Sequence, residues 1–119
     1  MIGFLFDENA TPEFRDQLLA RAPDMRVFVI GDGIAPPKST PDRDILLWIE
    51  ANDCILATYN YSSMPVHLSG HLAQGHHVPG IVQLNPDMSM GGILEDLLLM
   101  WGAGLPDEFM DRISYLPLR

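Results

Sequence analysis

Short apolar runs alternate along the chain with longer segments in which apolar residues recur every three or four positions. Apolar runs bounded by Gly, Pro or polar clusters are typical of buried strands, whereas the longer period is that of one helix face. The pattern predicts strands at residues 3–6, 25–30, 54–57 and 80–84. It predicts helices from about 12 to 22, from about 41 to 52, within 65–77, over 93–101 and from 107 to about 113.

Two helix starts share one pattern, a threonine followed by proline and then an acid. In residues 11–13 and 40–42 the hydroxyl can cap the helix, proline suits its first turn, and the acid complements its dipole. Ser89 and Asp107 are predicted to cap later helices, and Gly75 to stop the helix before it.

Alternating strands and helices predict an α/β fold of three layers, α/β/α, around a mostly parallel sheet of four to five strands. The 119 residues contain no internal repeat or linker, so we expect residues 1–119 to form a single domain. No apolar run approaches the roughly 20 residues that cross a bilayer, and no leader pattern opens the chain. We therefore expect a cytoplasmic protein without a membrane partner, in which Cys54 is a small buried hydrophobe.

The composition is acidic, with 16 Asp and Glu against 7 Lys and Arg and a formal charge of −9. This balance argues against a broad electrostatic grip on nucleic acid. A nuclease remains open, because an enzyme that holds phosphates through a divalent cation concentrates carboxylates at its site.

Polar residues follow two of the predicted strands and begin one predicted helix. Asp7 follows the first strand, Asn60 follows the third, and Asp42 lies in the first turn of the second helix. In a parallel sheet these positions share the carboxyl edge, where ligands bind. Two carboxylates and an amide oxygen there suit Mg²⁺ or Mn²⁺. The alternatives are that Asp42 complements a helix dipole and that Asp7 caps the following loop.

A second group consists of the four histidines of residues 67–77. His67 and His71 are spaced i, i+4, so they can hold zinc from one helix face with His76 or His77, although no acidic fourth ligand is evident. The alternative is a surface or nucleic-acid-edge role for these histidines.

Several motifs, in order, resemble small bacterial PIN-like proteins, which are similar to toxin ribonucleases of VapC type. The first strand reads FLFDEN over residues 4–9, against LLDEN in the family. Residues 40–46 read TPDRDIL against SDEEIL, and residues 54–60 read CILATYN against a strand end of the form LVT-x-D-x-D-F. Residues 76–82, HHVPGIV, and the tail 109–116, FMDRISYL, are also similar, so the resemblance covers nearly the whole chain.

The resemblance implies a PIN-like fold and a Mg²⁺- or Mn²⁺-dependent ribonuclease. Asp7 and Asp42 match family acids, whereas Asn60 and Ser62 stand where two further acids belong. The expected catalytic set is Asp7, Asp42 and Asn60, with Ser62 as a further metal ligand. The residues expected to contact RNA are Asn9, Thr58, Tyr59 and His76. Tyr59 and Tyr61 can stack on bases or pack over the strand end.

The resemblance also implies single-stranded or structured RNA as substrate, an antitoxin protein as partner, and assembly with copies of the same chain. The substitutions at Asn60 and Ser62 leave a rival hypothesis, a catalytically inert PIN-like module that binds protein or RNA. A receiver-like or small-ligand α/β domain explains the alternation of elements but not the order of motifs.

Overall fold

The computed structural model of the protein describes residues 2–60, 62–104 and 107–118. Within these residues the strands are β1 (Gly3–Phe6), β2 (Val27–Val29), β3 (Cys54–Thr58), β4 (Ile81–Gln83) and β5 (Ile113–Tyr115). The helices are α1 (Glu13–Arg21), α2 (Asp42–Asn52), α3 (Met64–Ala73) and α4 (Met90–Ala103). The predicted α/β alternation is confirmed.

The strands form one sheet in the order β2-β1-β3-β4-β5, and every neighbouring pair is parallel. This is a doubly wound order, in which the chain leaves β1 in one direction to form β2 and returns past it to form β3. The order reverses between β1 and β3, and the crevice beyond their carboxyl ends is where such sheets bind ligands.

The two faces of the sheet are covered by different helices because side chains alternate along each strand. Phe4 and Phe6 of β1 pack in a core with residues of α1 and α4, and the ring of Phe6 stacks on Phe14 of α1 at 5.3 Å. Leu5, between them, packs in a second core with residues of α2 and α3. The predicted three-layer arrangement is therefore confirmed.

The predicted ends of the elements are close to those observed, and two local details are informative. Ser89 caps α4 as predicted, because its hydroxyl accepts a hydrogen bond from the Gly92 N–H at 3.1 Å. The predicted cap at Thr40 is wrong, since its hydroxyl donates to the Pro37 carbonyl at 2.6 Å and does not cap α2.

Cys54, at the start of β3, is buried as predicted. Removal from water raises the pKa of its thiol to about 11. It therefore packs as a small hydrophobic side chain. Across the part of the chain that the structure describes, none of the helices combines the length and the apolar character that crossing a membrane requires.

The predicted last helix, from 107 to about 113, is wrong. Residues 107–111 form turns, and Ile113–Tyr115 forms the edge strand β5 beside β4. Asp111 interrupts any helix there, since its φ of +60° is left-handed. Its carboxylate accepts a hydrogen bond from the Val78 N–H at 2.9 Å, which holds the turn against the segment that leads into β4.

Candidate functional site

Asp7 lies at the carboxyl edge of the sheet, immediately after β1. Its Oδ2 accepts hydrogen bonds from the Thr58 hydroxyl at 2.7 Å and from the Tyr59 N–H at 3.0 Å. Its Oδ1 accepts one from the Asn9 N–H at 3.0 Å. Because each carboxylate oxygen has two lone pairs, these bonds orient the group and leave Oδ1 able to accept a further partner.

Asn60 connects this carboxylate to Asp42. The Asn60 side-chain N–H donates to Oδ2 of Asp42 at 3.2 Å and to the Ser63 hydroxyl at 2.8 Å. Its backbone N–H donates to the Thr58 hydroxyl oxygen at 3.0 Å, and that hydroxyl in turn donates to Asp7. One chain of hydrogen bonds thus links the three side chains that the sequence predicted to converge.

The doubly wound topology explains this convergence. Phe6 at the end of β1 pairs with Ala57 of β3, so the residues that follow the two strands leave the sheet side by side. Asp42 begins α2, the helix that leads from this same edge back to the amino end of β3. The three polar groups therefore meet at the crevice between β1 and β3, although they are distant in sequence.

Two further residues extend the site: Gln83, which the sequence-based prediction missed, and His67, which it considered only as a zinc ligand or as a residue of the surface or nucleic-acid edge. Gln83, 2% exposed, donates its side-chain N–H to the Asn60 carbonyl at 2.7 Å. Its buried Oε1 has no hydrogen-bond partner among the residues that the structure describes. The register of the sheet, in which Gln83 lies beside Thr58, is the signal that places it here. His67 contributes Nε2, 3.4 Å from Oδ2 of Asp42.

The predicted serine ligand and RNA-contacting residues have different environments. Ser62 is exposed, and its neighbour Ser63 is the serine that accepts from the Asn60 side chain and donates its N–H to it. Asn9 is exposed beside Asp7, whereas Thr58 is 2% exposed and supports Asp7. Tyr59 and Tyr61 are the two tyrosines that were expected to stack on bases or to pack over the strand end. Tyr59 is half-buried against the core that contains α1 and α4, and Tyr61 lies outside the described residues.

His76 lies apart from this site, so the structure does not bring it together with the other residues predicted to contact RNA. It precedes β4, at the amino edge of the sheet, whereas Asp7 follows β1 at the carboxyl edge. Its Nδ1 lies 3.0 Å from Oε1 of Glu50, and its ring stacks on His71 with centroids 4.8 Å apart. The two groups of residues therefore lie at opposite edges of the sheet, near opposite ends of helix α2.

The amino-edge cluster consists of Glu50, His71 and His76. Oε1 of Glu50 lies 3.2 Å from His71 Nε2 and 3.0 Å from His76 Nδ1, and the three atoms are all within 4.8 Å of one another. His71 is almost fully buried, whereas the other two side chains are partly exposed. Such a group can bind a metal ion.

The predicted zinc pair of His67 and His71 is wrong, because His67 is not part of the cluster that contains His71. His67 lies beside Asp42, near the start of α2, whereas His71 lies beside Glu50, near the end of the same helix. The two histidines therefore contact acidic residues near opposite ends of α2, although both belong to helix α3. The acidic partner that the sequence-based prediction lacked is Glu50, which no local motif marks.

Hydrogen bonds at the amino edge shift the pKa values of three side chains, Glu50, His77 and Asp111. The His77 N–H donates to Oε2 of Glu50 at 3.1 Å and lowers the pKa of that carboxyl, against the opposing effect of burial. The hydrogen bond from the His77 ring to Asp111, at 2.7 Å, raises the pKa of His77. Burial raises the pKa of Asp111, but hydrogen bonds from Val78 and His77 outweigh it, so the net shift is downward.

The carboxyl-edge residues fit Mg²⁺ or Mn²⁺ in donor type. Asp7, Asp42 and the Gln83 Oε1, which has no partner within the described part of the chain, offer hard oxygen donors of the kind these ions take. The negative charge of the site is lower than three carboxylates would give, because Asn60 is neutral. Its side-chain N–H, not an oxygen, faces Asp42. The site therefore supplies two carboxylates and the neutral polar groups of Asn60, Ser63 and Gln83.

Comparison of the chain with protein-family models, with curated proteins and with solved structures finds no match. The class that the fold and the site define is a doubly wound α/β domain with a carboxylate site at its topological switch point. The function has to be inferred from the residues of that site and from the order of motifs in the sequence.

Proposed function

We propose that the protein is a PIN-like, Mg²⁺- or Mn²⁺-dependent endoribonuclease with a reduced acidic site. The observation that carries the proposal is the hydrogen-bond chain from Asp7 through Thr58 and Asn60 to Asp42. It gathers two carboxylates at the switch point of the sheet, where a doubly wound fold binds its ligand. Gln83 binds the Asn60 carbonyl through its side-chain N–H, and its buried Oε1, without a partner among the described residues, is the acceptor we assign to a cation or its water.

In this proposal Asp7 and Asp42 hold the ion, and the neighbouring residues hold Asp7. Three donors fix the Asp7 carboxylate in advance, so it does not have to reorganise when a cation binds. When bound, a divalent ion polarises a phosphate oxygen and lowers the pKa of an attacking water. His67, 3.4 Å from Asp42, is placed to exchange a proton at the same edge.

The acidic charge of the chain is consistent with an ion-mediated grip on RNA. With a formal charge of −9, the chain has few cations with which to neutralise phosphates. A divalent cation between the carboxylates and a phosphate supplies that charge locally. The absence of carboxylates at Asn60 and Ser62 lowers the attraction for the cation, so the proposed enzyme needs more metal than one with four acids.

Substrate and partners follow from the resemblance to PIN-like toxins. We propose single-stranded or structured RNA as substrate and an antitoxin protein as partner. Apolar area for a partner or a second copy is present, since Leu99 of α4 is 58% exposed and Tyr115 of the edge strand β5 is 60% exposed.

The direct test compares Mn²⁺-dependent cleavage of RNA by the wild type and by Asp7→Asn. Loss of a metal ligand should reduce cleavage about a hundredfold or more, since removing even a supporting partner of a ligand costs 10- to 100-fold. Glu8→Gln is the matched control, because Glu8 is the adjacent exposed acid and its oxygen accepts from the Ser39 N–H. Equal cleavage by wild type and Asp7→Asn would contradict the proposed site.

A second candidate function is an inert PIN-like module that binds RNA or protein. The Asn60 amide favours it, because its N–H satisfies Asp42 and its carbonyl accepts from Ser63 without any cation. The same assay separates the two candidates. A module retains RNA binding with no metal-dependent cleavage in any variant.

A further inference from the structure

We propose that Glu50, His71 and His76 form a zinc-binding site at the amino edge of the sheet, separate from the carboxylate site. The three side chains come from the end of α2, from α3 and from the segment that leads into β4. Two imidazoles and a carboxylate are a ligand set that Zn²⁺ uses in proteins. Imidazole favours Zn²⁺ and its transition-metal neighbours over Mg²⁺ and Ca²⁺.

The spacing of the ligand atoms suits a tetrahedral ion. With bonds of about 2.0–2.2 Å, neighbouring ligand atoms of tetrahedral zinc lie about 3.3 Å apart. Glu50 Oε1 lies 3.2 Å from His71 Nε2 and 3.0 Å from His76 Nδ1. The third separation is within 4.8 Å, so the two imidazoles have to reorient before all three atoms bind one ion.

Burial, ring stacking and a backbone hydrogen bond hold the three side chains in place. His71 is 2% exposed at its side chain, and the ring of His76 stacks on it. The second oxygen of Glu50 accepts from the His77 N–H, which fixes the carboxylate against the β4 entry. Such supporting hydrogen bonds orient ligands and contribute to metal affinity.

Hydrogen bonds are exchanged when zinc binds, since His76 Nδ1 gives up its bond to Glu50 Oε1. His71 Nε2 lies 3.1 Å from the His77 carbonyl as well as beside Glu50, so without metal it can donate to that carbonyl. Ligation uses the same nitrogen, in its unprotonated form. The bonds given up make the site weaker than one with free ligands.

The site is open to solvent at one side. His76 is 40% exposed and Glu50 is 32% exposed, so an ion can enter. Three protein ligands leave the fourth tetrahedral position to water or another small ligand. Bound zinc would join α2, α3 and the β4 entry, and would therefore stabilise the folded chain as any ligand specific to the native state does.

The test uses Zn²⁺ alone, titrated into the full chain by calorimetry and followed by thermal unfolding. The wild type should bind one ion per chain at this site and unfold at a higher temperature with zinc. His76→Ala should weaken binding at least about tenfold and remove most of the shift in unfolding temperature.

Two matched variants show whether the effect is specific. Gln74→Ala changes an exposed side chain in the segment between the two histidine ligands, so it should retain wild-type zinc affinity. Asp7→Asn should also retain it, because Asp7 lies at the opposite edge. Equal affinity in His76→Ala and the wild type, or a loss in Asp7→Asn as large as in His76→Ala, would overturn the assignment.

Cobalt substitution provides a readout that does not depend on the variants folding. Co²⁺ in place of zinc should give the strong visible absorption of a tetrahedral ion with imidazole ligands. The weak spectrum of octahedral Co²⁺ at saturation would overturn the tetrahedral site. Because the proposal does not use Asp7 or Asp42, it stands or fails independently of ribonuclease activity.

Discussion

At the scale of single residues, Asn60 decides how much charge the carboxyl edge carries. The amide donates to Asp42 and Ser63 and accepts from Ser63, so it is satisfied without an ion. An aspartate at this position would accept where Asn60 donates and would face Asp42 with a like charge. A divalent cation between them would relieve that repulsion.

Asn60→Asp should therefore tighten Mn²⁺ binding, by at least about tenfold, because an added carboxylate strengthens attraction for a hard cation. Calorimetry with Mn²⁺ measures the change. Asn52→Asp is the control, because it adds the same charge at the far end of α2, where the Asn52 side chain donates to the Trp48 carbonyl. No gain in Asn60→Asp, or an equal gain in both variants, would show that Asn60 does not face the ion.

The positions of Asp7, Asp42 and Asn60 could be predicted because each is marked locally, by a strand end or a helix start. Glu50 could not, since it lies within α2 and its histidine partners belong to later elements. Only the packing of α2 against α3 shows that these residues meet. Gln83 was missed for a related reason, because its place at the site depends on the register of β4 with β3.

At the scale of elements, strong local signals gave correct predictions and weak ones did not. The buried strands and the Ser89 cap combine apolar runs with clear boundaries. Strand β5 has three residues, of which Tyr115 is exposed, so its sequence has little hydrophobic pattern. Its hydrogen bonds to β4 define it, and these arise only when the sheet has formed.

The cap of α4 gives a prediction at this scale. Ser89→Ala should lower the free energy of unfolding by about 1 kcal/mol, because the Gly92 N–H loses its acceptor. Ser89→Asn retains an acceptor at the cap and should stay close to the wild type. Urea unfolding followed by circular dichroism measures both. Equal losses in the two variants would mean that the serine stabilises the helix by some other contact.

In the whole molecule, two polar sites of different chemistry lie at opposite edges of one parallel sheet. The carboxyl edge gathers oxygen donors at the reversal of strand order, and the amino edge gathers two imidazoles and a carboxylate. Hard cations favour the first set and zinc favours the second. The acidic chain as a whole attracts cations to both edges.

Diffraction from crystals soaked in Mn²⁺ shows whether the carboxyl edge is a divalent-cation site. Anomalous scattering locates manganese without dependence on activity or on variants. We expect an anomalous peak between Asp7 and Asp42 at saturating Mn²⁺. A carboxyl edge without such a peak, in crystals where manganese is bound elsewhere on the molecule, would contradict it.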